Sequence, residues 1–115
     1  MEALYMYDEN DYIMKQIKSM VRGLGKFMGL EQIKDLLQLN DDQQGSITDL
    51  ELESIITNSK LELIISNKGI SIDQLTEELD IEENQLRKII SHEVPATRDE
   101  LTILNEYIND NQAYL

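Results

Sequence analysis

Apolar residues recur at three- and four-residue intervals in the second half of the chain, and this spacing strongly constrains the fold. The clearest stretch is Leu75-Thr76-Glu77-Glu78-Leu79-Asp80-Ile81, which is followed by Leu86, Ile89 and Ile90. Such spacing places the apolar side chains on one face of an α-helix. The pattern therefore predicts a short helix, a tight turn and a second helix that close over one small core.

The same periodicity predicts helices along the rest of the chain, and no strand pattern competes with it. Helix-capping residues mark several ends: Ser46 or Thr48, Ser71 and Thr97 as N-caps, and Gly69 as a left-handed stop. The predicted helices cover about 10–28, 30–39, 48–58, 60–67, 71–79, 82–91 and 97–109. The expected fold is all-α, with an N-terminal helical segment over residues 1–58 and a second helical unit over 59–115.

The chain is strongly acidic, with a net charge of −13, but the charge is unevenly distributed. Residues 12–28 hold four basic residues and no acidic ones, whereas the other residues hold 6 basic and 23 acidic side chains. Such acidity repels polyanions. There is no cysteine, no apolar stretch long enough to span a bilayer, and no basic start typical of a secretory signal. We therefore expect a soluble cytoplasmic protein with no membrane partner.

The stretch from Lys60 to about Ile108 resembles the lambda-repressor-like (Cro-type) helix-turn-helix family. Leu61–Gly69 is similar to the first helix of that family, Ser71–Leu79 to the second, Glu82–Ser91 to the recognition helix, and Pro95-Ala96-Thr97 to the lead into the fourth. Thr76 and Asp80 depart from the small alanine and the turn glycine that the family often has. The N-terminal half resembles, loosely, uncharacterised small bacterial helical proteins.

The resemblance implies that Asn84, Gln85, Arg87 and Lys88 would face base edges in the major groove if the chain bound DNA. The charge argues against that use. Residues 60–110 hold 5 basic and 12 acidic side chains, a net charge of −7, and phosphate neutralisation supplies most non-specific affinity for DNA. A scaffold for protein contacts is the favoured interpretation, and a sequence-specific transcriptional regulator is the alternative.

A polar segment from Asn40 to Glu51 resembles a calcium-binding EF-hand loop. Its six ligand positions would be Asn40, Asp42, Gln44, Ser46 through its carbonyl, Thr48 and Glu51, with Gly45 at the turn. Asn40 and Gln44 replace two of the usual charged or short ligands, and no second loop is visible to pair with it. An interhelical turn before an acidic helix start is therefore the favoured interpretation over calcium binding.

The helix predicted at 10–28 has an apolar face and a basic stripe. We expect its apolar residues to form an interaction surface, most simply in a homodimer: Ile13, Ile17, Met20, Leu24 and Phe27. A solvated face is the default interpretation of the basic stripe; contact with the protein's own carboxylates, within the subunit or across a dimer, comes next, and a membrane surface is the least favoured. Gly23 and Gly25 weaken the helix, so either a close neighbour or a kink is expected there.

Catalytic signals are sparse. His92 is the single histidine, cysteine is absent, and no glycine-rich phosphate loop follows a strand. We therefore expect no enzyme activity and no cofactor. The sequence favours a non-catalytic binding or regulatory module that acts by protein–protein contacts.

Overall fold

The computed structural model describes residues 9–38 and 48–115, and all regular structure within them is helical. The helices are α1 Glu9–Leu24, α2 Leu30–Leu36, α3 Asp49–Lys68, α4 Ile72–Leu79, α5 Glu83–Ile90 and α6 Arg98–Asp110, followed by a 3-10 turn at Gln112–Tyr114. The prediction of an all-α fold is confirmed. None of the helices in this part of the chain combines the length and apolar character needed to cross a membrane.

Side-chain caps begin three helices where the sequence predicts them. Thr48, Ser71 and Thr97 each accept a hydrogen bond from the backbone amide three residues further on. At Ser71 and Thr97 the side chain of Gln74 or Glu100 bonds back to the cap amide, which completes a capping box. Each cap satisfies an amide that has no partner within its helix and stabilises the helix by about 1 kcal/mol.

Two helices end at a residue in the left-handed conformation. Gly69 follows α3 with φ 71°, and Asp80 follows α4 with φ 57°. The amide of Asp80 donates to the carbonyl of Thr76 at 3.0 Å. Aspartate is one of the few residues besides glycine that tolerate this conformation. Asp80 therefore begins the short turn of residues 80–82 between α4 and α5, at the position where the helix-turn-helix resemblance leads one to expect glycine.

The first helix ends at Leu24, earlier than the predicted end near residue 28. A Cβ placed on Gly25 would lie 2.9 Å from the Cα of Ile56 and 3.3 Å from the Cβ of Ser59. Glycine therefore lets the end of α1 approach the middle of α3 backbone to backbone. Lys60 secures the turn, because its Nζ donates to the carbonyls of Gly25 and Met28 at 2.7 and 2.6 Å.

Residues 49–68 form one continuous helix, so the prediction of two helices that meet near residue 59 is wrong. The polar run Thr57-Asn58-Ser59 looks like a helix end in the sequence because such side chains favour turns and caps. In the structure all three residues are buried. Their side chains bond to other elements: Thr57 to Asn105, Asn58 to the carbonyl of Ile89, and Ser59 to the carbonyl of Arg22. The boundary expected between residues 58 and 59 lies inside this helix.

Two clusters of buried apolar residues lie along successive halves of α3. The N-terminal cluster consists of Val21, Ile33, Leu52 and Ile56. The C-terminal cluster is larger and consists of Leu61, Ile64, Leu75, Leu79, Ile81, Leu86, Ile89, Ala96, Leu101, Leu104, Tyr107 and Ile108. Because α3 contributes two residues to the first cluster and two to the second, it is the central element of the fold.

We expect Gly25→Ala to lower the free energy of unfolding by about 1–3 kcal/mol, because the new Cβ would meet backbone atoms. Gly23→Ala is the matched control, since a Cβ at Gly23 meets nothing within 4 Å. Because alanine has a higher helix propensity than glycine, Gly23→Ala should raise the free energy of unfolding by about 0.5–1 kcal/mol. Urea unfolding measures both changes. Equal effects of the two substitutions would contradict the close approach of α1 to α3.

Candidate functional site

A cleft of about 560 Å³ opens between α1, α3 and the loop that follows α5. Residues of all three elements line the cleft. They are Lys15, Lys18, Ser19 and Arg22 of α1; Glu51, Ser54, Ile55 and Asn58 of α3; and residues 92–95 of the loop. The volume lies within the range of small-molecule sites. Ile55, Val94 and Pro95 provide apolar walls, while the charged side chains come from both helices and from the loop.

The spacing of residues along α1 allows this helix to serve both the core and the cleft. Ile17 and Val21 pack in the N-terminal cluster. Lys15, Lys18 and Arg22 follow one another at steps of three and four residues and line the cleft. Residues at such steps share one side of a helix. The amphipathic pattern that buries one side of α1 therefore presents its basic side to the cleft.

Two of these basic side chains face carboxylates on α3. Lys18 Nζ lies 3.6 Å from Glu51 Oε2, and Arg22 Nη2 lies 3.8 Å from Glu62 Oε1. The interpretation that the basic stripe meets the protein's own carboxylates is confirmed for these two pairs. Both pairs are partly exposed, and pairs of this kind contribute about 0–1 kcal/mol each.

His92 lies on the loop side of the cleft in a left-handed conformation, with φ 64°. Its Nε2 is 3.3 Å from Glu62 Oε1, the same oxygen that Arg22 approaches. Burial lowers the pKa of His92, and the charge of Arg22 lowers it further, whereas Glu62 acts in the opposite direction without outweighing them. The imidazole is therefore neutral over a wider pH range than in water, and its Nε2–H can donate to Glu62.

Asn58 lies at the base of the cleft and is only 1% exposed. Its Nδ2 donates to the carbonyl of Ile89 at 2.7 Å, which identifies the nitrogen end of the amide because a carbonyl only accepts. Within the described residues, Asn58 Oδ1 has no hydrogen-bond partner. An unsatisfied buried acceptor costs about 1–3 kcal/mol.

The residues predicted to read DNA all lie on α5, and the structure leaves them unequally available. Asn84 and Lys88 are exposed. Gln85 is partly buried, with its Nε2 3.5 Å from Glu100 Oε1. Only two of the four side chains therefore extend freely from the surface of α5.

Arg87, the fourth of these residues, contacts two carboxylates. Its Nε donates to Glu83 at 3.0 Å, and its Nη2 lies 3.8 Å from Asp73. The hydrogen bond from Arg87 lowers the pKa of Glu83, whereas hydrogen bonding with Glu83 raises the pKa of Asp73. A phosphate would have to compete with this acidic pair for Arg87.

The apolar residues predicted as an interaction surface divide into two groups. Ile17 and Leu24 pack against the N-terminal cluster. Ile13, Met20 and Phe27 are 50%, 46% and 79% exposed. The exposed group recurs every seven residues, two of them on α1 and Phe27 in the turn after it. We refer to these three residues as the outer face of α1.

The predicted calcium loop lies mostly outside the described residues, which exclude Asn40, Asp42, Gln44 and Ser46. Of its other two ligands, Thr48 caps α3 and Glu51 faces Lys18. Among the residues that the structure describes, no group of three or more His, Cys, Asp or Glu side chains could hold a metal ion. Calcium binding by this loop stays a prediction.

Sequence reasoning did not identify the cleft. Two signals of it are present in the sequence: the polar run Thr57-Asn58-Ser59 in the middle of α3, and the segment His92-Glu93-Val94-Pro95 that follows α5. Neither signal shows that α1 lies beside both segments, because that placement depends on packing against α3.

Comparison of the chain with known protein families, with curated proteins and with solved structures finds no match. The function therefore has to be argued from the geometry of the molecule.

We expect the free energy of unfolding to fall as the pH is lowered through about 6.5, and His92→Asn to reduce that fall. The pKa of His92 is lower in the folded chain than in the unfolded chain, so the unfolded chain binds the proton first and acid favours it. Asparagine tolerates the left-handed backbone. Urea unfolding at pH steps from about 7.5 to 5.5 measures the free energy of unfolding on both sides of the ordinary histidine pKa. If this free energy falls equally with pH in the wild type and in the variant, the lowered pKa of His92 is contradicted.

Proposed function

We propose that this chain is a non-catalytic binding and regulatory module that acts by protein–protein contacts through a helix-turn-helix-like scaffold. The observation that carries the proposal is the outer face of α1, where Ile13 and Met20 are exposed seven residues apart on the helix and Phe27 is exposed in the turn that follows it. Large apolar side chains that recur along one side of a helix are typical of surfaces that pack against another helix. The partner that we propose to test first is a second copy of the chain.

The size of the outer face predicts a weak and reversible association. Burying a large apolar side chain completely contributes about 1.5–3 kcal/mol, and these three are about half exposed or more before association. In a two-fold dimer both copies contribute the same residues, so the gain is of order 5–10 kcal/mol. Association costs about 4–15 kcal/mol in lost translational and rotational freedom. The net free energy of association is therefore close to zero, and the dimer fraction depends on concentration and salt.

Charge supports α1 as the contact surface. Two copies that each carry a net charge of −13 repel one another, and the repulsion is smallest where basic residues offset the acidic ones. Residues 12–28 are the stretch that holds basic and no acidic side chains. Salt screens the remaining repulsion. Self-association through α1 should therefore become stronger as salt is added.

Sedimentation velocity on the whole chain tests the proposal. We expect a mass that rises from 13.3 kDa toward twice that value with concentration and with salt. The double substitution Ile13→Ser and Met20→Ser should restore the monomer mass, whereas Leu36→Ser should not, because Leu36 is as exposed but lies on α2. A wild-type chain that stays monomeric at all concentrations and salts would overturn the proposal of self-association.

Sequence-specific DNA binding is a second candidate function, and the turn between α4 and α5 favours it. Asp80 adopts the left-handed conformation at the position where the helix-turn-helix family often has glycine, and Asn84 and Lys88 extend from α5. The pairing of Arg87 with two carboxylates, together with the net charge of −7 over residues 60–110, weighs against it. We therefore place it second.

Retention of genomic DNA fragments at low salt separates the two functions. A DNA reader would retain specific fragments, and the retention would weaken steeply with salt. Combined Asn84→Ala and Lys88→Ala should then abolish it, while Lys26→Ala, which removes a charge far from α5 in sequence, should leave the preferred fragments unchanged. No retention by the wild-type chain at any salt concentration would exclude DNA binding and leave the protein-contact proposal standing.

A further inference from the structure

The exposed apolar residues of α1 are placed symmetrically about the middle of the helix. α1 runs from Glu9 to Leu24, and Ile13 and Met20 each lie four residues from one of its ends. Both side chains are about half exposed. We propose that two copies pair through α1 in antiparallel orientation, with Ile13 of each copy against Met20 of the other. This inference rests on the self-association proposed above and adds the direction and register of the contact.

Complete overlap of the two helices produces this pairing. In an antiparallel pair that overlaps fully, a residue four places from the start of one helix lies beside the residue four places from the end of the other. Ile13 and Met20 are those two residues, so two apolar pairs form, one on each side of the two-fold axis. An axis at Met20 would instead leave the first half of each α1 without a partner helix, because α1 ends at Leu24.

Charge favours the antiparallel orientation over the parallel one. α1 begins with the acidic residues Glu9 and Asp11, whereas the basic residues Lys18, Arg22 and Lys26 lie in its second half and in the turn after it. A parallel pair brings like charges together, and an antiparallel pair brings the acidic end of each helix beside the basic end of the other. The helix dipoles favour the same direction. The reversed helix therefore matches α1 in both apolar spacing and charge, which identifies a second copy as the partner.

Part of the basic charge is offset within the subunit. Lys18 and Arg22 face carboxylates of α3 at 3.6 and 3.8 Å. Among the residues that the structure describes, no carboxylate lies within ion-pair distance of Lys26. The charge difference between the two ends of α1 is therefore smaller than the count of charged residues indicates. Charge selects the direction of the contact, and apolar burial supplies most of the attraction.

Disulfide trapping measures direction and register together, because the chain contains no cysteine of its own. The variants Ile13→Cys and Met20→Cys are mixed, one of them labelled with heavy nitrogen, and oxidised with glutathione disulfide under conditions where the wild type dimerises. A disulfide requires two Cα atoms about 4.4–6.8 Å apart. In the proposed pair, positions 13 and 20 of opposite copies are adjacent, whereas the two copies of either position lie about 10 Å apart along the helix axis.

We expect mass spectrometry to find the mixed dimer, joined between positions 13 and 20, in about fivefold or greater excess over either like dimer. Leu36→Cys, mixed with Met20→Cys, is the matched control, because Leu36 is as exposed as Ile13 but lies on α2. The control should show no excess of the mixed dimer. Like dimers at both positions would indicate parallel helices and overturn the proposal. A like dimer of Met20→Cys alone would place Met20 on the axis and overturn the proposed register.

A pair of charge variants tests the preference for direction. Glu9→Gln with Asp11→Asn removes the acidic end of α1 and should weaken self-association about two- to fivefold. Glu77→Gln with Asp99→Asn removes the same charge from exposed positions outside α1. This control should leave self-association unchanged or strengthen it, because it lowers the repulsion between two acidic chains. Equal effects of the two double substitutions would overturn the role of charge in α1.

Failure of this inference is distinguishable from failure of the proposed self-association. A wild-type chain that stays monomeric in sedimentation removes both. A wild-type chain that dimerises, while trapping yields like dimers or no excess of the mixed dimer, removes the antiparallel arrangement alone and leaves self-association standing.

Discussion

The buried polar side chains in the middle of α3 hold the helices of this protein in place. Ser54 Oγ accepts from the amide of Ala96 at 2.9 Å, Asn58 donates to the carbonyl of Ile89, and Ser59 donates to the carbonyl of Arg22. Each bond joins α3 to backbone in another element, so it sets the position of that element and not merely of a side chain. A shift of α3 along its axis would leave several buried groups without partners, at about 1–3 kcal/mol each.

The cleft is a consequence of where these bonds lie. The Ser59 bond holds the end of α1, and the absence of a side chain at Gly25 lets that end come close to α3. The Ser54 bond holds the loop after α5 one helical turn away from Asn58. Between these two attachments α1 and the loop remain apart, and the basic side of α1 faces the opening. The basic residues that line the cleft and the exposed apolar residues Ile13 and Met20 thus occupy different sides of the same helix.

Local signals in the sequence predicted much of the secondary structure. Thr48, Ser71 and Thr97 begin helices, and Gly69 ends one, as expected from side-chain hydrogen bonding and left-handed geometry. Two local predictions were wrong. The break expected near Ser59 does not occur, because the polar side chains there bond to distant backbone and not to their own. α1 stops at Leu24 because Gly25 packs against α3.

By itself the sequence determined the all-α class, most helix ends and the amphipathic character of α1, because these depend on side chains a few residues apart. The tertiary structure decided which apolar residues of α1 are buried, leaving Ile17 packed and Met20 exposed. It also decided that residues of α1, α3 and the loop after α5 share one cleft. These outcomes depend on the docking of α1 and the loop against α3, and contacts between residues 30 or more positions apart leave no periodic signal in a single sequence.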